Sequence, residues 1–342
     1  MPVPLFDVNQ IRFRLSGLLM KNKNIKSVQM NLRRWIQTIF FALTILTGVR
    51  FYLYAERIYS GDLSAARPSG VEGFLPISAL MGLKKLALTG QFDSVHPAGL
   101  VILLSAILLS IVFKKSFCSS VCPVGFVSEM VSKTGLNLRV PRVLFHILSL
   151  TKYLLLLFFA YIILWNMNIQ SINAFMASPY NIAADVKMLN FFLHPSRTTL
   201  ITLGALLVLT LAVTNFWCRF LCPYGALLGL FSALSPFKVR RDPAACTDCR
   251  ACTAVCPMHI NVHKKKTVSS PECFGCHECV THRTQENCLQ VTRIKSCRRV
   301  PVIVSALFFL IVTAAMLGGY WHTKVPAETY RQYIMQADRL SH

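Results

Sequence analysis

The sequence predicts an all-α integral membrane bundle of five transmembrane helices, with a small α+β domain inserted before the fifth. Three observations carry that expectation. The 342 residues are 54% hydrophobic and their mean hydropathy is +0.50, a membrane composition rather than a soluble one. Five apolar runs, at about 35–54, 97–113, 146–165, 198–216 and 301–319, reach or approach the length that crosses a bilayer. Nine of the thirteen cysteines crowd between Cys246 and Cys297, in a segment too short to build a large core and therefore held together by what its cysteines bind.

Residues 1–34 hold seven Lys or Arg against a single acid, Asp7, and read as a basic cytoplasmic tail of the kind that anionic lipid attracts. The first apolar run starts too late for a signal peptide and lacks a small-residue cleavage site. Outside the spans the basic residues divide unevenly. The tail, 114–145 and 217–300 hold 7, 5 and 13, whereas 55–96, 166–196 and 321–342 hold 4, 1 and 3. By the positive-inside rule this bias puts the N-terminus and the cysteine-rich domain in the cytoplasm and the C-terminus outside. Topology thereby accounts for much of the net charge of +22, and no nucleic-acid partner is expected.

An internal repeat organises the membrane part. Phe117, Cys118, Cys122, Pro123 and Gly125 align with Trp217, Cys218, Cys222, Pro223 and Gly225 at an offset of 100 residues. Each C-x3-C-P motif follows an apolar run headed by a His-Pro pair, His96-Pro97 and His194-Pro195. The expected units are a first hairpin repeat over 35–145 and a second over 146–235. Packed about a pseudo-two-fold axis along the membrane normal, they would gather Cys118, Cys122, Cys218 and Cys222. Four thiolates could hold a third iron-sulfur cluster or a soft metal such as copper, cycle as redox thiols, or only pack at a helix end behind proline. His96 and His194, at the outer ends of two spans, are candidate haem, metal or quinone contacts, against the plainer reading of a histidine at a helix start.

The cysteine-rich domain, residues 236–300, carries the most specific pattern. Cys246, Cys249, Cys252, Cys256 and Pro257 spell C-x2-C-x2-C-x3-C-P, the bacterial ferredoxin run for a [4Fe-4S] cluster. Cys273, Cys276 and Cys279 repeat the triple spacing, and Cys288 follows after a wider gap. Three thiolates so spaced wrap one face of a cubane, and in two-cluster ferredoxins the fourth comes from the other motif. One cluster is therefore assigned to Cys246, Cys249, Cys252 and Cys288, the other to Cys273, Cys276, Cys279 and Cys256, with Cys297 the rival of Cys288. Structural zinc pairs two C-x2-C units across a longer gap, and disulfide frameworks suit short secreted chains; neither matches this spacing. Lys264, Lys265 and Lys266 could dock an acidic partner or simply be solvated. Residues 301–320 form the fifth helix, and 321–342 an outer tail whose Tyr320 and Trp321 suit a membrane interface. No phosphate loop, Ser/His/Asp arrangement or C-x-x-C-H haem attachment site is visible, so the chain reads as a conduit rather than a hydrolase or transferase.

Together these motifs resemble those of the membrane-bound polyferredoxin family, [4Fe-4S] proteins of the NapH, NosR and CcoG kind, and among them the stand-alone YccM type. The resemblance rests on Cys118/Cys122 and Cys218/Cys222, on Gly70 to Met81 with His96-Pro97, and on the ferredoxin motifs, and it covers about residues 35–300. It implies electron transfer in a bacterial inner membrane, between the quinone pool or a partner subunit and two [4Fe-4S] clusters on the cytoplasmic face. Some members carry a large N-terminal flavin-binding domain or a C-terminal immunoglobulin-like domain. This chain shows neither, so no flavin is expected within it, and separate redox partner subunits are. The alternative is a copper-binding or copper-reducing assembly factor that uses the C-x3-C-P cysteines.

Overall fold

The computed structural model describes residues 32–336 apart from Arg139, Arg283, Thr284, Glu286, Lys295 and Ser296, so most of the basic tail lies outside the described residues. Its principal helices are α1 (Leu32–Ser60), α2 (Pro76–Thr89), α3 (Pro97–Phe113), α4 (Ser116–Ser120), α5 (Pro123–Thr134), α6 (Arg142–Ala160), α7 (Ala184–Leu193), α8 (Arg197–Ala212), α9 (Pro223–Ser232), α10 (Val300–Leu317) and α11 (Ala327–Met335). Proline opens α2, α3, α5 and α9, where its missing N–H costs nothing and its fixed φ suits the first turn.

Each of the five apolar runs is helical, but they differ in reach. Leu32–Ser60, Val143–Asn166 and Cys297–Leu317 are long and apolar enough to cross a membrane. At 17 residues α3 is short, and α8 qualifies only together with α7, from which it is bent by 76°. Three helices are thus candidate spans on length and composition, four if the bent pair counts as one. Only 17–22% of the most apolar window of each long helix is buried. The apolar surface left over suits lipid rather than water.

The two repeats interlock. Helix α3 of the first copy packs on α9 of the second, and α8 of the second packs on α5 of the first. Within each copy α1 meets α5 and α6 meets α9, while α10 packs mainly against α1, α3 and α4. At the end away from the cysteines, Phe51, Ile58, Val71, Val95, Val186 and Ile334 form a separate core that receives α11.

Between α9 and α10 sits a three-stranded antiparallel sheet in the order β2-β1-β3, made of β1 (Val239–Arg241), β2 (Thr267–Val268) and β3 (Leu289–Val291). Val239 pairs with both Val268 and Val291, so one face turns these apolar side chains onto the cysteine segments. This small domain is seated on the membrane half. Phe113 stacks on Phe237 at 5.1 Å, and Asn215 Nδ2 donates to Pro257 O at 3.2 Å. Gly275 has φ +64, and a Cβ there would lie 2.6 Å from Ser116 Oγ and 2.7 Å from Phe113 O, so only glycine permits this approach. Arg33, at the start of α1, bonds Glu129 of α5 at 2.8 and 3.0 Å, Glu278 of the inserted domain at 3.0 Å and Ser119 O at 3.1 Å.

Candidate metal centres

The two halves of the inserted domain share one local design. Cys246, Cys249 and Cys252 recur as Cys273, Cys276 and Cys279 at a constant offset of 27 residues. In both halves the residues flanking the middle cysteine are left-handed, Asp248 and Arg250 at φ 50° and 59°, Gly275 and His277 at 64° and 57°. The third cysteine then falls in a one-turn helix, Ala251–Ala254 or Glu278–Thr281. Alternating backbone handedness of this kind turns successive N–H groups toward a common concavity, which suits an anionic sulfur cluster.

The sulfur atoms group in the crossed pattern. The Cys246 and Cys288 thiols lie within hydrogen-bonding reach of one another, and Cys288 also senses Cys252 and Cys249. Burial, with Cys246 beside it, pushes the Cys288 thiol up to about 11, whereas the Arg241 guanidinium bonded to Cys246 draws that thiol below its ordinary value. Cys256, Cys273, Cys276 and Cys279 line one cavity together with Pro257, Met258 and Phe274. Burial pushes Cys256 up to about 11, and Cys273 adds to it. Cys279 faces Cys252 as well as its own set, so the two groups are neighbours. Cys297 packs on the domain's core beside Ile294.

The C-x3-C-P cysteines also come together. Cys218 faces Cys222, Cys122 and Cys118, and burial followed by these neighbours raises its pKa strongly. Burial likewise lifts Cys122 to about 11. In each motif the second cysteine holds the N-cap position of the helix that its proline begins, and in the second copy Cys222 Sγ accepts the Gly225 N–H at 3.2 Å. A sulfur at a helix N-terminus meets the positive end of the dipole, which favours thiolate. The glycine of the motif has a steric role: a Cβ at Gly125 would sit 2.4 Å from Cys118 O.

Two buried lysines face this quartet. Lys115 and Lys152 are both fully buried, and both lower the pKa of Cys118 and of Cys222. Lys152 pairs with Glu272, while Lys115 Nζ stands 3.7 Å from that carboxylate and has no hydrogen-bond partner among the described residues. Tyr153 OH donates to the other Glu272 oxygen at 2.8 Å. Burial raises the Glu272 carboxyl, but Lys115 and Lys152 outweigh it and hold it below the usual range. Two buried ammonium groups against one carboxylate leave an excess of positive charge, which suits a further negative group opposite. Among the described residues no three His, Cys, Asp or Glu side chains close around a single ion, and a cubane spreads its four thiolates wider than one ion does.

Sequence pattern hides the roles of these partners. Lys115 and Arg33 look like topology charges, and Glu272 is a lone acid. Lys152 does carry a signal, because a charge inside an apolar run marks a functional or paired site.

The two histidines part company. His96 is fully buried; its Nε2 lies 2.7 Å from Asn181 O and its Nδ1 3.4 Å from Arg67 and 3.7 Å from Glu72. Arg67 in turn pairs with Asp185 at 2.6 Å, to which Tyr330 OH donates. Both ring nitrogens of His96 therefore have protein partners. His194 is exposed, at the bend between α7 and α8.

Comparison with known proteins agrees with this geometry. A 4Fe-4S binding domain model matches residues 95–143 and again 198–242, the two stretches that carry the C-x3-C-P motifs. A 4Fe-4S dicluster domain model matches residues 238–282. The chain is 41% identical to YccM of Escherichia coli, which carries an electron-transport name, over 89% of this chain and 88% of that one. It is 26% identical to the ferredoxin-type protein NapH of Escherichia coli over 59% of this chain and 69% of that protein. The regulatory protein NosR of Pseudomonas aeruginosa is 29% identical over 50% of this chain and 24% of its own length. No solved structure matches. With a relative this similar along nearly its whole length, and with 4Fe-4S domain matches over the cysteine motifs, the chain belongs to the membrane polyferredoxin family of YccM type.

Proposed function

We propose that this chain carries electrons between a soluble donor or acceptor and the membrane, using three cysteine sets arranged in series from solvent to bilayer. Cys246, Cys249, Cys252 and Cys288 would hold the outermost [4Fe-4S] cluster, Cys256, Cys273, Cys276 and Cys279 the middle one, and Cys118, Cys122, Cys218 and Cys222 a third. When bound, such cubanes supply one-electron redox centres. The observation that carries the reading is a single hydrophobic core shared by Cys118, Cys122, Cys218, Cys256 and Cys276, with Met258 and Phe274 between. Continuous packing excludes water between the second and third sets. At the other end Cys249 is exposed, which leaves the outermost set open to a partner.

Charge favours a cluster over copper in the third set. A [4Fe-4S] core with four thiolates carries about −2 when oxidised, and Lys115 and Lys152, less the charge of Glu272, leave a net positive charge that offsets part of it. We further propose five spans, with the N-terminus and the clusters in the cytoplasm, the C-terminus outside, and a bacterial inner membrane as the location. The basic-residue bias supports this orientation, and the names NapH and NosR support redox partner subunits. Electrons would pass between the third set and the quinone pool or such a subunit.

The test is metal and acid-labile sulfide analysis of anaerobically purified protein. About twelve iron and twelve sulfide per chain are expected, and about eight of each would restrict clusters to the inserted domain. Stoichiometric copper in place of the third set would favour the assembly-factor reading instead. In the same preparation, Cys288→Ala should lose the EPR signal of one reduced cluster while Cys297→Ala keeps both. The reverse result would exchange the two residues' roles.

A further inference from the structure

The outer face of the three-stranded sheet bears an open cleft of about 600 Å³ lined by Arg240, Arg241, Lys266 and Arg293, with Asp242 the one acid among the described lining residues. The sheet itself gathers these cations. Arg240 and Arg241 end β1, Lys266 precedes β2 and Arg293 follows β3, on the strands that flank β1 on either side. Arg240, Lys266 and Arg293 are exposed. The acid is occupied locally, since Asp242 Oδ1 accepts the Ala244 N–H at 3.0 Å. A positive-inside bias asks only that basic residues lie on one side of the membrane; it does not ask that four of them converge on one concavity.

The cleft also borders the outermost cysteines. Arg241 bonds Cys246, and the Asp242 N–H donates to Cys288 O at 2.9 Å. Anything seated in the cleft therefore lies beside the most accessible of the proposed centres. Among the described lining residues none is aromatic, so a nucleotide or flavin would find no platform there to stack on. Carboxylates presented by a protein surface need no such platform, and arginine recognises them bidentately.

We infer that this cleft is the docking site for a soluble one-electron carrier whose redox centre is ringed by acidic side chains. The inference rests on the electron-transfer reading above and adds the partner's chemistry and its place of contact. Arg240, Lys266 and Arg293 attract and orient the carrier through long-range charge, which acts mainly on encounter rate and weakens with salt.

The test uses the full chain in non-ionic detergent and a fluorescently labelled acidic flavodoxin as probe, with binding read by anisotropy. Binding should weaken by about tenfold or more between about 20 and about 200 mM salt. Arg240→Glu with Lys266→Glu should weaken it at least about tenfold at low salt, with iron content unchanged. Lys264→Glu with Lys265→Glu, a neighbouring pair outside the cleft lining, should stay within about twofold. Equal losses from both pairs would mean diffuse attraction and overturn the assigned site, as would no loss from the first pair. Displacement of flavodoxin by ADP at similar concentration would give the cleft to a small anion instead. Cleft-dependent binding of flavodoxin hydroquinone that never bleaches the iron-sulfur absorbance would overturn the electron-transfer reading and leave the docking site standing.

Discussion

Replacing Cys118 and Cys218 together by serine is expected to remove about four iron and four sulfide per chain while the reduced ferredoxin-type EPR signals persist. The argument is positional. Each repeat supplies two of the four thiols that meet behind Lys115, so this pair takes one ligand from each half. The inserted domain has its own eight assigned ligand cysteines and a separate core around Val239, Val262 and Leu289, so its loading should not depend on the quartet. Serine keeps the shape of the site and leaves two thiols, too few to hold a cubane against burial. Unchanged iron would mean that the quartet only packs the helix ends. Lys115→Met is the companion variant, expected to lower iron occupancy of the third set, because it removes one of the two buried cations that face the quartet and leaves Lys152 offset by Glu272.

Arg33→Met is expected to loosen the inserted domain from the membrane half, at a cost of about 3–5 kcal/mol, the usual penalty for removing one partner of a buried ion pair. Arg33 is only 5% exposed, and Glu129 and Glu278 are 14% and 15% exposed. Both carboxylates would lose their Arg33 partner at once, although Lys133 still reaches Glu129 at 3.2 Å and His282 still reaches Glu278 at 3.3 Å. Limited proteolysis should release the segment around residues 236–300 faster in the variant, and a rate equal to wild type would refute the clamp.

The same clamp sets an acid limit. Burial raises the Glu129 carboxyl, but Arg33 outweighs it and lowers the pKa from 4.5 to about 2. A carboxyl depressed in the folded state contributes stability above its unfolded pKa and loses it as pH falls toward the folded value. Wild-type docking should therefore weaken between about pH 4.5 and about pH 2, and the variant should lack that component.

Much of this design is legible in short-range pattern. The C-x2-C-x2-C spacing reads directly as cluster chemistry because those residues must wrap one object. The offset of 100 residues between the C-x3-C-P motifs announces a repeat. Long-range partners are a different matter. Lys115, Glu272 and Lys152 are far apart in sequence and gain meaning only where they meet. His96 and His194 occupy equivalent places, yet one is enclosed by Glu72, Arg67 and Asn181 and the other is exposed at a bend. Apolar length, too, is an incomplete guide, since α8 ends at Ala212, short of its run to 216, and α3 fills its run of 97–113 yet stays below the length of the three long helices.

By itself the sequence determined the membrane class, the repeat and the cysteine pattern, because composition and residue spacing act locally along the chain. Tertiary structure alone decided that Cys118, Cys122 and Cys218 of the C-x3-C-P quartet lie in the core that also holds Cys256 and Cys276, that two lysines face the quartet and that Arg33 clamps the inserted domain. It also decided that four cations from the strand ends open one cleft. Each of these depends on burial and on contacts between residues far apart in sequence, or on sheet pairing, where desolvation sets the strength of a charge and neither property is written in any short stretch of residues.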